Sequence, residues 1–232
     1  MKLLAIETAT EACSVALVDG GHRFQRQEIG ARVHAAALLP WIAEILAEAG
    51  LTHADLDGVA VDRGPGGFTS IRLGLGVAQG IGLAHDLPAF PVSSLAALAH
   101  AARPNGYSGR FLAALDARMG EVYAGWFSFE SDRVRAIGNE MLCSPRAMTA
   151  LDEGPFIAAG NAFSSFGPEL RAGLGSGLQG DPIDAWPTAL EERLRADLTG
   201  TRVSVENGSV LGAGFDIGLY GVTSMSDRLE QL

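Results

Sequence analysis

Lysine is nearly absent from this chain. Lys2 is the single one, and every other basic residue is arginine. A lysine nucleophile and a phosphate-gripping lysine are thereby close to excluded. Cysteine is almost as scarce: Cys13 and Cys143 are the only two, far apart in sequence. They form no CxxC pair and no disulfide framework, which fits a reducing cytoplasm, and they read as small packed residues. Long apolar runs are missing too. None approaches the roughly 18–20 residues of a membrane span, and Glu7 and Glu11 interrupt the apolar stretch that a signal peptide would need. The five histidines make no i, i+4 pair and no HExxH, so no metal constellation is expected. No serine stands in a GxSxG elbow. Net positive charge is lacking as well: the balance is −10. An acidic surface is repelled by nucleic-acid phosphates, so a role on RNA is expected to run through a basic partner.

What is present is core-forming residues. The chain has 232 residues, 47% of them hydrophobic, enough for one large domain or two small ones. KLLAIE (residues 2–7) reads as a buried strand, CSVALVD (13–19) as its return, and Gly20-Gly21 as a hairpin turn into a third strand at 22–29. From Ala35, apolar residues at 35, 38, 39, 42, 45, 46 and 49 follow helical spacing, with Gly50 as the stop. DGVAVD (57–62) is a short buried strand. A glycine-rich segment and helix to about residue 85, a strand at 89–92 and a helix to about 102 complete the half.

The stretch 103–109, RPNGYSG, has linker composition. After it the opening pattern returns: FLAALDARMGEVYAGWF mirrors LLAIETATEACSVALVD, each an apolar strand closed by a carboxylate, Glu7 and then Asp116. Further strands are expected near 135–141 and 155–159, and helices near 144–151 and 188–196. A βββαβα unit occurring twice predicts an α/β fold of two lobes around a cleft: lobe one at 1–102, linker at 103–109, lobe two at 110–232. That is the two-lobed actin-like ATPase architecture (ASKHA, ribonuclease H-like). In it the strand-end carboxylates and adjoining turns surround a nucleotide's phosphates. Here the turns carry extra acids, Glu11 and Glu121, which repel phosphate. The expected site is therefore vestigial, built from Glu7, Thr8, Thr69, Ser70 and Asp116; the bland alternative is that these carboxylates simply cap turns.

Residues 63–82, RGPGGFTSIRLGLGVAQGIG, look at first like a phosphate loop. A P-loop requires GxxxxGK[ST], and no lysine is here. A dinucleotide loop would follow the first strand. What remains is a helix N-terminus with Thr69 or Ser70 as N-cap, able to attract an anion. Gly74, Gly76, Gly80 and Gly82 then lie inside the helix, each costing roughly 1 kcal/mol against alanine. They fall into two small-residue stripes, Gly74–Ala78–Gly82 and Gly76–Gly80–Ala84. Such stripes admit a second backbone closely, either this chain's own first helix or a partner's. Leu38, Trp41 and Ile45 on the first helix join Gly74, Ala78 and Gly82 as expected interface residues, Trp41 as an aromatic anchor.

Four stretches taken together resemble the bacterial TsaB (YeaZ) family: LLAIETATEACSVAL, the H…LLP…I…IL…AG helix (34–50), RGPGGFTSIRLGLGVAQG and LDARMGEVYA. The resemblance is strong over about the first 125 residues. It implies the actin-like fold and a part in making threonylcarbamoyladenosine beside the tRNA anticodon. It implies a non-catalytic scaffold paired through its N-terminal lobe with a TsaD-like catalytic subunit and joined by a TsaE-like ATPase. A homodimer is expected when the chain is alone, with tRNA met only indirectly. No intrinsic cofactor or metal is implied; ATP or ADP at the partner interface is. The related catalytic subunit carries a metal-binding HxxxH; here Ser94 and Leu98 occupy those two positions. The competing reading is a stand-alone ATP-dependent carbamoyl-type transferase, with a metallopeptidase behind it. From about residue 200 the tail departs from the family's usual ending.

Overall fold

The computed structural model describes residues 1–30, 33–130, 133–189, 204–206 and 209–211. Its first half contains β1 (Lys2–Glu7), β2 (Ala12–Asp19), β3 (His22–Ile29), α1 (Val33–Glu48), β4 (Gly58–Asp62), α2 (Phe68–His85), β5 (Ala89–Val92) and α3 (Ser94–Ala102). The strands form one sheet in the order β3-β2-β1-β4-β5. β1, β2 and β3 pair antiparallel, and β1–β4 and β4–β5 pair parallel. The alternation of side chains along a strand gives β1 two buried faces. Leu4 and Ile6 meet α1 and α2 through Leu38, Ile42, Ile45, Ala78 and Ile81. Leu3 and Ala5 face the other way, with Ala16, Ala60, Ala97 and Ala189. That second face is mostly alanine, which is why α3 and the chain near residue 189 approach it so closely.

The second half repeats the plan. β6 (Gly109–Arg118), β7 (Glu121–Glu130), β8 (Arg133–Cys143) and β9 (Phe156–Ala159) form a sheet in the order β8-β7-β6-β9, and α4 (Ala162–Leu174) follows β9. The duplicated, two-lobed ribonuclease H-like architecture expected of an actin-like fold is therefore present. It differs in one place: the helix expected at 144–151 is a single 3-10 turn, Pro145–Ala147. Pro145 opens that turn, and Met148 just beyond it is buried in the second core without a helix. Beyond α4, residues 178–183 run beside β9 in two isolated bridges, joined through Gln179 N–H to Phe156 O (2.8 Å) and Ile183 N–H to Ala158 O (2.8 Å). They stand where β5 stands in the first half. The helix expected at 188–196 lies largely outside the described residues, as does most of the tail; β10 (Ser204–Glu206) and β11 (Ser209–Leu211) pair antiparallel there.

α3 is the spine between the two sheets. Ala97 packs on the first sheet; Leu95, Leu98, Ala99 and Ala102 pack on Phe111, Phe127 and Phe129 of the second. Polar ties also cross between the halves. Arg63 bonds Glu140 (3.1 and 3.2 Å), Glu140 also accepts from Ser93 Oγ, and Ala189 N–H donates to Ser14 Oγ (2.6 Å). Among the described residues no helix is long and apolar enough to cross a membrane.

Candidate functional site

The parallel pairing of β1 and β4 puts Ile6 opposite Val61, so the next residues, Glu7 and Asp62, end the two strands together. Both are buried, at 3% and 1% exposure. Glu7 Oε1 accepts the Ala9 N–H (2.8 Å). Asp62 Oδ1 accepts the Thr8 N–H (2.9 Å), with the Thr8 hydroxyl 3.0 Å away. Burial pushes the Glu7 carboxyl well above the usual carboxylate range, and the neighbouring Asp62 adds to it. Burial likewise pushes Asp62 up to about 7, against the pull of the Thr8 bonds. Asp62 was not among the residues expected at the site. Its signal was available: DGVAVD ends in a carboxylate just as KLLAIE does.

The glycines before α2 have a local task. A Cβ on Gly66 would collide with the carbonyl of Ala9, and Gly67 N–H donates to that same carbonyl (2.7 Å). The β1–β2 turn thus inserts its own carbonyl where the helix N-terminus opens. This corrects the expected cap. Gly67 is the N-cap, and Thr69 and Ser70 lie inside the helix, where Ser70 Oγ donates to Gly67 O (3.0 Å). The two consecutive glycines let the backbone reach Ala9, and the helix starts at once behind them.

Across the cleft, Asp116 stands at the bulge near the end of β6 in a different setting. Its carboxylate accepts from Ser165 Oγ (2.7 Å) and Arg118 N–H (2.7 Å), and its own N–H donates to Asn161 Oδ1 (2.9 Å). Ser165 and Asn161 belong to the start of α4, so a carboxylate sits near a helix N-terminus, which favours negative charge. Between the two turns lies a cleft of about 200 Å³, walled by residues including Ala9, Glu11, His34, Gly67, Asp116, Arg118 and Asn161. Arg118 forms an ion pair with Glu11, bridging the two lobes at this cleft. Of the expected site residues, Ser70 and Asp116 line this cleft; Glu7 and Thr8 are buried behind it, and Thr69 is exposed and outside it.

The expected interface residues divide. Leu38, Ile45 and Ala78 are at most 1% exposed and belong to the core beneath the first sheet. Gly74 is buried as well, where a Cβ would press on Thr8 Oγ1 and lie 3.3 Å from Asp62 Oδ1. These four cannot meet a partner, because helical spacing turns them inward; this corrects the expectation. Gly82 is half-buried, its added Cβ 3.2 Å from Leu87 O, and Trp41 is half-buried against the core. The outward stripe is the second one. Among the described residues, a Cβ on Gly76 or Gly80 meets nothing within 4 Å. Beside them Leu83 is 88% and Phe68 69% exposed, and Leu39 of the neighbouring α1, expected inside, is 61% exposed. The Arg72 guanidinium lies 3.4 Å over the Phe68 ring. Ser94 and Leu98 are both fully buried on α3. Among the described residues no three His, Cys, Asp or Glu side chains converge on a metal position.

Comparisons with known proteins agree with this geometry. The family model for TsaD, tRNA N6-adenosine threonylcarbamoyltransferase, matches residues 26–179. The tRNA threonylcarbamoyladenosine biosynthesis protein TsaB of Haemophilus influenzae is 39% identical over 72% of this chain and 74% of its own length. The protein of the same name in Escherichia coli is 47% identical over 57% of this chain and 56% of its own. The solved structure of YeaZ from Pseudomonas aeruginosa superposes with a TM-score of 0.72 at 34% identity, covering 86% of this chain and 90% of that one. The chain belongs to the TsaB (YeaZ) family, within the wider family that the threonylcarbamoyltransferase model describes.

Proposed function

We propose that this protein acts in tRNA threonylcarbamoyladenosine biosynthesis as a non-catalytic scaffold in the cytoplasm. It pairs with a TsaD-like catalytic subunit through the outer face of α2 and the adjoining part of α1, and a TsaE-like ATPase joins the pair. tRNA is reached only through those partners, as the chain's net charge of −10 suits. The observation that carries this reading is the open stripe of Gly76 and Gly80 flanked by exposed Leu83 and Phe68. Glycine inside a helix costs stability, and at these two positions no neighbour among the described residues requires it. A second helix packed against the stripe does.

The cleft supports the non-catalytic half of the reading. Its space of about 200 Å³ is below the roughly 300–1,000 Å³ of small-molecule pockets. The Ala9 carbonyl bonded to Gly67 N–H stands where a phosphate would need that donor. ATP or ADP, if it enters the complex, is then held with the partner rather than by this cleft alone.

The test is capture of a purified TsaD-like subunit by wild-type protein, Gly80→Arg and Leu83→Asp. Both variants keep the fold, since both positions are open to solvent, and both lose capture at least tenfold. Equal capture by all three would rule out this face. Calorimetry with ATP and magnesium ion on the isolated chain addresses the competing stand-alone enzyme. Tight binding abolished by Asp116→Ala would favour the enzyme over the scaffold. The same experiments run without partner report whether the face mediates a homodimer.

A further inference from the structure

Two carboxyl groups lie buried where β1 and β4 end, Asp62 beneath the first turns of α2, and among the described residues no salt bridge reaches either of them. Glu7 and Asp62 end adjacent parallel strands, which lie roughly 4.8 Å apart. Among the described residues Asp62 Oδ2 is buried without a hydrogen-bond partner, and the Ser94 hydroxyl stands beside Glu7. The titratable group facing the pair from β2 is the Cys13 thiol, pushed up to about 11 by burial and then by Asp62 and Glu7; Glu28 of β3 adds negative charge behind it. From α3 comes the Ser94 hydroxyl. From α2 come the Ser70 carbonyl and the bare backbone at Gly74; its Arg72 is exposed over Phe68. His34 of α1 lines the cleft instead, and Arg63, next to Asp62, bonds Glu140. Two ionised carboxylates in such surroundings would each lack a compensating charge.

Thr8 connects this pair to the helix. Its hydroxyl lies 3.0 Å from Asp62 Oδ1 and 2.9 Å from the Ser70 carbonyl oxygen. A hydroxyl has one proton to donate, so the two acceptors compete for it. The Ser70 carbonyl belongs to the first turn of α2, and four residues on, Gly74 presses its bare backbone against the same Thr8.

We propose that the buried Glu7–Asp62 pair retains a proton, and that its presence on Asp62 decides which acceptor the Thr8 hydroxyl serves and so how firmly the first turns of α2 are fastened to the lobe. With the proton in place, Asp62 competes weakly and Thr8 Oγ–H donates to Ser70 O. When the proton leaves to solvent at alkaline pH, the carboxylate draws the hydroxyl away and the helix loses that tie. The raised position of both carboxyls, with Asp62 near 7, puts the change within reach of ordinary solution conditions. That the outer face of α2 loosens with it, and partner capture weakens, rests on the function proposed above; the proton-dependent fastening does not.

The test is amide hydrogen exchange across residues 68–78 of the full chain, corrected for intrinsic rates, between about pH 6 and 9. Wild-type protection falls by up to about tenfold per pH unit above about pH 7, the limit for one linked proton. Asp62→Asn, or Glu7→Gln if the first variant does not fold, flattens that dependence. Thr8→Val removes the Ser70 tie at every pH and leaves α2 in its loosened state throughout. Parallel slopes in wild type and the carboxamide variants, or a wild type without slope, would overturn the proposal. So would magnesium ion restoring protection at alkaline pH, since a metal rather than a proton would then hold the pair. The partner is absent throughout, so a negative result here is distinct from a failed capture experiment.

Discussion

Glu7 and Asp116 are the same letter of a repeated sentence, each the carboxylate near the end of the first strand of its half. Their surroundings are opposite. Glu7 is buried beside a second carboxyl, Asp62, with a backbone N–H as its bonded partner. Asp116 is half-exposed, bonded by Ser165 and the Arg118 N–H at the start of α4. The difference comes from what each half lays over its strand end. In the first, the double glycine draws α2 and its loop onto the β1–β2 turn until the Ala9 carbonyl meets Gly67. In the second, α4 arrives with polar residues and leaves the carboxylate open. Duplication conserved the position of the acid; the helix packed upon it set its chemistry. α2 teaches the same lesson on one element: Gly74 and Gly76 are two residues apart, one pressed on Thr8 and the other facing empty space.

The largest expected effect separates the two faces of α2. Ala78→Arg places a charge at a fully buried position and is expected to cost more than about 4 kcal/mol, reading out as insoluble protein or a lost unfolding transition. Gly80→Arg, half a turn away and open, leaves stability within about 1 kcal/mol by denaturant titration. Similar losses in both would erase the distinction between the faces.

Next comes one substitution with two signs. Gly74→Ala gains helix propensity but drives a methyl into Thr8 Oγ1, which is bonded on both sides and has no room to retreat. A net loss of about 1–3 kcal/mol is expected from overpacking. Gly76→Ala meets nothing and is expected to stabilise by about 1 kcal/mol. Urea midpoints measure both, and a shared sign would break the comparison.

The buried pair of the first half makes stability depend on pH. Glu7 and Asp62 carry folded-state values above their unfolded ones, so the folded state binds more protons. Their contribution therefore stands fully at acid pH and is lost as pH rises from about 4 toward and through 7. Glu7→Gln lessens that decline in a melting-temperature series. A steeper decline in Glu7→Gln than in wild type would contradict the burial argument.

The smallest effect belongs to the tie across the cleft. Arg118 is exposed where it pairs with Glu11, so Arg118→Ala is expected to change stability by less than about 1 kcal/mol. A several-fold larger loss would mean that this ion pair, rather than the α3 spine, holds the lobes together.

Much of the plan was legible. The period-2 and helical spacings placed β1, β2, β3, β4, α1 and α2 within a residue or two, and the recurrence of an acid after an apolar strand announced the second half. The expected helix at 144–151 is a single 3-10 turn opened by Pro145; Met148 just after it reaches the core in extended form. Thr69 and Ser70 looked like caps because hydroxyls usually are, but Gly67 took that place once its N–H found Ala9. Asp62 went unremarked because nothing local says which strand lies beside which.

By itself the sequence determined the periods: which residues lie along strands, which along helices, where glycine relaxes the backbone, and how often the unit occurs. Those depend on neighbours within a few residues, through sterics and spacing. Which small-residue stripe of α2 faces inward, which acid loses its water, and which carbonyl fills the helix N-terminus were decided by the tertiary structure. Each depends on a partner more than fifty residues away, brought close only when β1 and β4 pair and the helix closes over them.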